Sequence, residues 1–198
     1  MHIRIILVVV ALSMASCKPI VKTIYGVKKP ALETDASIKA YLKQHEIDSS
    51  RVITFPSLLS FAAASQQQYL SIPDAMFFNK DGFLVPYKPT AQSCNADVSK
   101  FIDDLRNFKS KPVDSRVTLP IFQGMLQQKQ EQTPAEITVY ITWSKFSGRL
   151  NKTKAFEWVK ALEKARREGL QVSYYLLNCD FQKRWNLSEE QIKRLDLR

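Results

Sequence analysis

Glycine is scarce, with 5 residues among 198, and no Gly-rich phosphate loop is present. Histidine is scarcer still. Only His2 and His45 occur, so neither a His-based metal site nor a Ser-His-Asp triad can be assembled. Cysteine is limited to Cys17, Cys94 and Cys179, too few and too far apart for a disulfide framework or a Cys-x-x-Cys pair. The apolar run Ile5–Leu12 falls short of the roughly 20 residues that a membrane-spanning helix needs. Net charge is +10, yet Lys and Arg are scattered without an arginine-rich block, which argues for a solvated basic surface and against a nucleic-acid partner. Asp103-Asp104 and Glu189-Glu190 fall in helical patterns and read as solvated faces, not as catalytic carboxylate pairs.

What is present describes a folded globule. A 45% hydrophobic and 11% aromatic content supplies the material for one ordinary core. The start of the chain differs in kind. His2 and Arg4 precede the apolar run, and the small residues Ala15 and Ser16 precede Cys17, the pattern of an export signal. Met14-Ala15-Ser16-Cys17 resembles the lipobox of bacterial lipoproteins. The resemblance implies a signal peptide over 1–17 and diacylation of Cys17, hence a membrane partner reached through the N-terminal lipid. Lys18 stands where an inner-membrane retention signal would hold Asp, so the expected location is the outer membrane, facing the periplasm. Residues 18–33 carry Lys18, Lys22, Lys28 and Lys29 without a clear period and read as a tether whose lysines can meet anionic headgroups.

A single domain over 34–198 follows. Thr34 or Asp35 caps a helix with Ile38, Tyr41, Leu42 and His45 on one face. Arg51–Phe55 reads as a strand and Ser57–Gln68 as a helix. Ala75–Phe78 and Phe83–Tyr87 flank Asp81-Gly82, a hairpin signal. Asn95 or Asp97 caps a helix through Val98, Phe101, Ile102 and Leu105. Residues 107–134 contain Lys111-Pro112 and a Gln-rich stretch, and read as an internal linker, mobile in its second half. Then come the strand Ile137–Thr142, Trp143, a helix from Asn151 to Glu168, the strand Leu170–Leu177, and a helix opening on the capping box Ser188–Gln191.

Two segments resemble the thioredoxin superfamily, especially its envelope thiol-oxidoreductases. Ser71-Ile72-Pro73-Asp74 with the following hairpin and helix is similar to the cis-proline strand, hairpin and last helix. Ile137–Asp180 is similar to the first strand, first helix and second strand, with Ser144 and Ser147 at the two Cys positions after Trp143. The resemblance implies an α/β fold, a three-layer mixed sheet flanked by helices, with Pro73 as the cis-proline. The two segments occur in inverted order. Either one domain is circularly permuted, or a C-terminal βαβ unit mimics the corner; the first is preferred because each half alone has too few strands to cover a sheet.

Hydroxyls neither ionise near neutral pH nor form disulfides, so Ser144 and Ser147 are expected to cap the following helix and not to react. No catalytic residue, cofactor or metal is expected. Cys94 and Cys179 either pair in an oxidising compartment or stay as buried thiols. By analogy with redox-inactive members of the superfamily, Pro73, Trp143, Ser144, Phe146 and Ser147 would line a groove for a protein or peptide partner, with Asp180, Phe181 and Trp185 beside it. Three functions follow: a lipid-anchored binding or assembly module without thiol catalysis, a redox protein using Cys94 and Cys179, or a structural lipoprotein contacting the cell wall.

Overall fold

The computed structural model describes residues 25–67, 70–88, 97–127 and 135–197. Residues 1–17, read above as a signal segment ending at Cys17, and Cys94 lie outside them. The fold is α/β: a six-stranded mixed sheet with helices on both faces.

Strand β1 (Leu32–Glu33) leads into α1 (Asp35–Gln44), whose start is fixed by a capping box between Thr34 and Ser37. Strand β2 (Val52–Thr54) and helix α2 (Leu58–Gln66, capped by Ser57) follow. Next come the hairpin strands β3 (Asp74–Asn79) and β4 (Phe83–Leu84), helix α3 (Val98–Asp103), strand β5 (Asp114–Thr118) and helix α4 (Leu119–Leu126). The C-terminal part supplies β6 (Ile137–Trp143), α5 (Phe156–Arg167), β7 (Val172–Asn178), β8 (Phe181–Gln182) and α6 (Glu189–Arg194), which opens on the Ser188–Gln191 capping box.

The sheet order is β2-β7-β6-β3-β4-β5. β6 lies parallel to β7, which is parallel to β2, while β3 runs antiparallel to β6 and begins the antiparallel half. Alternation along the strands sorts side chains between two cores. Ala75 and Phe77 of β3, with Val139, Ile141 and Trp143 of β6, face α1, α3 and α5. Met76, Phe78, Tyr140 and Leu177 face Ala64 of α2 and Phe122 and Leu126 of α4.

Two expectations need correction. Within the stretch 107–134, residues 107–127 are not a linker: β5 forms the sheet edge and α4 covers the second core, while 128–134 lie outside the described residues. Pro120 stands in the first turn of α4, where no amide donor is needed. The polar Asp114-Ser115-Arg116 suits an edge strand, which one face of water can satisfy. The other correction concerns 18–33. Residues 25–33 are docked on the domain, and β1 pairs in parallel with β8.

Leu162 of α5 is fully buried in the first core, whereas Leu59 of α2 is 80% exposed. Leu162→Ala is expected to lower unfolding free energy by about 2–5 kcal/mol and Leu59→Ser by less than about 0.5 kcal/mol, measured by urea denaturation.

Candidate functional site

Strand β6 delivers Trp143 to the end of the sheet, and the chain then turns sharply. Ser144 is extended, Lys145–Ser147 form one 3-10 turn, and Gly148 takes φ +60°, ψ −129°, a conformation for glycine. Residues Asn151–Ala155 then form a π-helical turn that runs into α5, a wider start than the regular helix expected there.

Ser144 and Ser147 are buried, and their hydroxyls bond each other at 2.6 Å. Neither caps the helix start as expected. That role belongs to Asp180: both of its carboxylate oxygens accept the Lys145 N–H, at 3.0 and 2.8 Å. Asn178 Nδ2 donates to the same carboxylate at 2.7 Å, and Gln182 Nε2 donates to the Asp180 carbonyl and to Asn178 Oδ1. On the other side of the corner, Asn151 Nδ2 donates to the Ser144 carbonyl at 2.6 Å and to the Tyr41 hydroxyl at 3.1 Å. Tyr41 stacks on Trp143 with centroids 5.8 Å apart. Three buried polar atoms find no partner among the described residues: Trp143 Nε1, Asn151 Oδ1 and Gln182 Oε1.

The Ile72–Pro73 bond is cis. Pro73 lies one residue before Asp74, which is in register with Thr142. Thr142 joins the segments, accepting the Asp74 N–H at 2.8 Å and donating its hydroxyl to the Ser71 carbonyl. Pro73 and the Trp143 corner are therefore neighbours across the β3–β6 ladder. Of the five expected groove residues, Pro73, Trp143, Ser144 and Ser147 are buried, and only Phe146 reaches the surface in part. They come together as a closed corner, not as open walls.

Residues 25–33 do the closing, as a strap across the corner. Lys28 N–H donates to the Phe146 carbonyl at 2.8 Å, and Lys145 forms an ion pair with Glu33 of β1. A Cβ placed on Gly148 would stand 2.4 Å from the Gly26 carbonyl oxygen and 2.5 Å from that of Tyr25. A cleft of about 190 Å³ remains between strap and corner, lined by Lys28, Glu33, Tyr41, Lys145, Phe146 and Asp180. Sequence reading missed Glu33, Tyr41 and Asn151 as parts of this corner. Gly148 was the available signal, since an isolated glycine after a strand marks a close backbone approach.

The remaining candidates fall elsewhere. Phe181 and Trp185 pack with Phe61 of α2, and Trp185 Nε1 donates to the Phe55 carbonyl, so they serve the second core. Cys179 is fully buried in that core, and burial pushes its thiol far above the ordinary range. His45 packs against Tyr41 and Phe156.

Burial pushes the Asp180 carboxyl up from 3.8 to about 6, with the charge of Glu33 adding to the rise, against the opposing hydrogen bonds from Lys145, Asn178 and Phe146. A folded-state value above the unfolded one means that the folded form holds the proton more tightly. The associated stability is fully present below about pH 4 and is lost as pH rises through about 6, to an extent of about 3 kcal/mol. Urea midpoints taken between pH 4 and 6 should carry this loss, and Asp180→Asn should remove it from the slope. Gly148→Ala, which is strained by its φ and by the strap carbonyls, should destabilise by about 1–3 kcal/mol and open the bonds after Tyr25 and Lys28 to protease.

Comparison with known proteins gives no further name to this corner: no family model, no curated protein and no solved structure matches the chain.

Proposed function

We propose that this chain is a lipid-anchored protein of the bacterial cell envelope, held at the outer membrane and facing the periplasm. Its domain is a circularly permuted thioredoxin-like fold that has no thiol chemistry and works as a binding or assembly module. The observation that carries this reading is the Ser144–Ser147 hydroxyl pair, 2.6 Å apart at the end of β6 and beside the cis Ile72–Pro73 segment. A thiol-oxidoreductase places its two sulfurs at such a strand-to-helix corner, and here both positions hold hydroxyls. The parallel β6–α5–β7 unit and the antiparallel β3–β4 hairpin flank it in the arrangement the resemblance implies, with the order along the chain inverted.

The redox alternative needs both Cys94, which lies outside the described residues, and Cys179, whose surroundings disfavour it. A fully buried thiol with a raised pKa is a poor nucleophile, and the neighbouring Asp180 charge disfavours the thiolate further. The anchor reading rests on Met14-Ala15-Ser16-Cys17 and on the apolar run before it.

Three measurements test the proposal. The native protein should not reduce insulin disulfides in the presence of dithiothreitol beyond the reagent alone; turnover that disappears in Cys94→Ser or Cys179→Ser would overturn the non-redox reading. The double variant Ser144→Cys with Ser147→Cys should close a disulfide under mild oxidation, seen as two thiols lost, because the two Oγ atoms already sit close enough for bridging after small adjustment. Metabolic labelling with palmitate should mark the wild type and not Cys17→Ala.

A further inference from the structure

The strap gives the chain's basic charge a location. Residues 25–32 contain Lys28 and Lys29 and no acidic residue, and residues 144–156 contain Lys145, Arg149, Lys152 and Lys154 and again none. The Lys28–Phe146 hydrogen bond and the seating of Tyr25 and Gly26 over Gly148 bring these two stretches side by side. Some of this charge is matched from other parts of the chain: Lys145 pairs with Glu33 and Lys29 with Asp196. Lys28, Arg149, Lys152 and Lys154 have no carboxylate partner among the described residues, and Glu157, the next acid along α5, is engaged by Lys160. Lys28, Arg149 and Lys152 are exposed, while Asn151 and Ala155 turn inward, so Lys152 occupies the outer side of the π-helical turn and Arg149 lies just before it.

From this placement we infer that the corner carrying Lys28, Arg149, Lys152 and Lys154 is the face that the domain lays on the bilayer, and that it binds anionic lipid headgroups. The inference rests on the anchor reading above and adds an orientation and a lipid class to it. Reach favours this orientation and the charge selects it. Only residues 18–24 separate Cys17 from Tyr25, and a fully extended chain of that length spans at most roughly 30 Å. Tyr25 is itself held against Gly148, so a lipid on Cys17 brings this corner, the point where the leash joins the domain, nearest to the headgroups. Lys18 and Lys22 add two cations on the way. The far end of the sheet, where Lys109 pairs with Glu136 just before β6, points away. Cations near an anionic surface each raise affinity by about fivefold, and the attraction fades beyond a Debye length.

The test uses the full-length protein isolated from membranes and reconstituted into vesicles of phosphatidylcholine alone or with about one-third phosphatidylglycerol. Lysines are acylated with acetic anhydride and mapped by mass spectrometry at about 0.1 M salt and again at about 0.5 M, where screening shortens the reach of the surface charge. Lys28, Lys152 and Lys154 should react about fivefold more slowly on the anionic vesicles, regain their rates at high salt, and lose the protection in Arg149→Glu with Lys152→Glu, read at Lys28 and Lys154. Lys109 and Lys164 should not change. Equal rates on both vesicle types, or protection spread evenly over all lysines, would overturn the proposal. Intact mass and vesicle flotation report the anchor separately: a chain without acyl groups sinks the anchor reading, while charge-dependent protection of the same three lysines would still uphold the patch.

Discussion

Everything in this fold is placed by β6. It is the strand with a full partner on each side, parallel β7 along its whole length and antiparallel β3 along six residues, and its side chains feed both cores. A strand in that position has no face for water, and Ile137–Trp143 is accordingly buried almost throughout. Parallel pairing with β7 requires a crossover, which α5 provides. The hairpin partner β3 is brought in by Thr142, whose single hydroxyl bonds both Asp74 and Ser71. The corner at the end of β6 thus inherits its position from the sheet and not from any chemistry of its own.

At that corner, polar groups are buried and almost all are satisfied. Asp180, Asn178, Gln182, Asn151 and the two serines form linked hydrogen bonds around the amide of Lys145. A buried carboxylate at a helix start holds the turn by bonding its amides, and here that stabilisation opposes a larger desolvation penalty. The three unpaired atoms around Trp143 sit in the same place, which marks this as the part of the fold where the polar network is least complete.

Much of the architecture was legible from periodicity. Ile38 and Leu42, Phe101 and Ile102, and Val159 and Leu162 read as buried helix faces because helical spacing gathers them, and the structure buries them. Thr34 and Ser188 announced helix starts through cap chemistry. Failures came where contact partners are distant in sequence. Asp114–Thr118 is too polar to look like a strand until β4 pairs with it at a sheet edge. Ser144 and Ser147 looked like caps because local rules favour serine there, and Asp180, more than thirty residues on, takes the position. Tyr25–Glu33 has no period because one side of it follows the shape of the corner and not a repeat.

Gly148 has a mechanical consequence. The backbone of Tyr25 and Gly26 rests where any other residue would project a Cβ, and Lys28 and Glu33 hold on either side of that rest. Tension applied to the N-terminus is therefore borne first by this short seam, before it reaches the sheet. The seam is loaded across one backbone hydrogen bond, the ion pairs of Lys29 and Glu33, and a two-residue parallel ladder. Such a seam yields well below the force that would shear the long β6–β7 ladder, so residues 25–33 can peel away while the core stays intact.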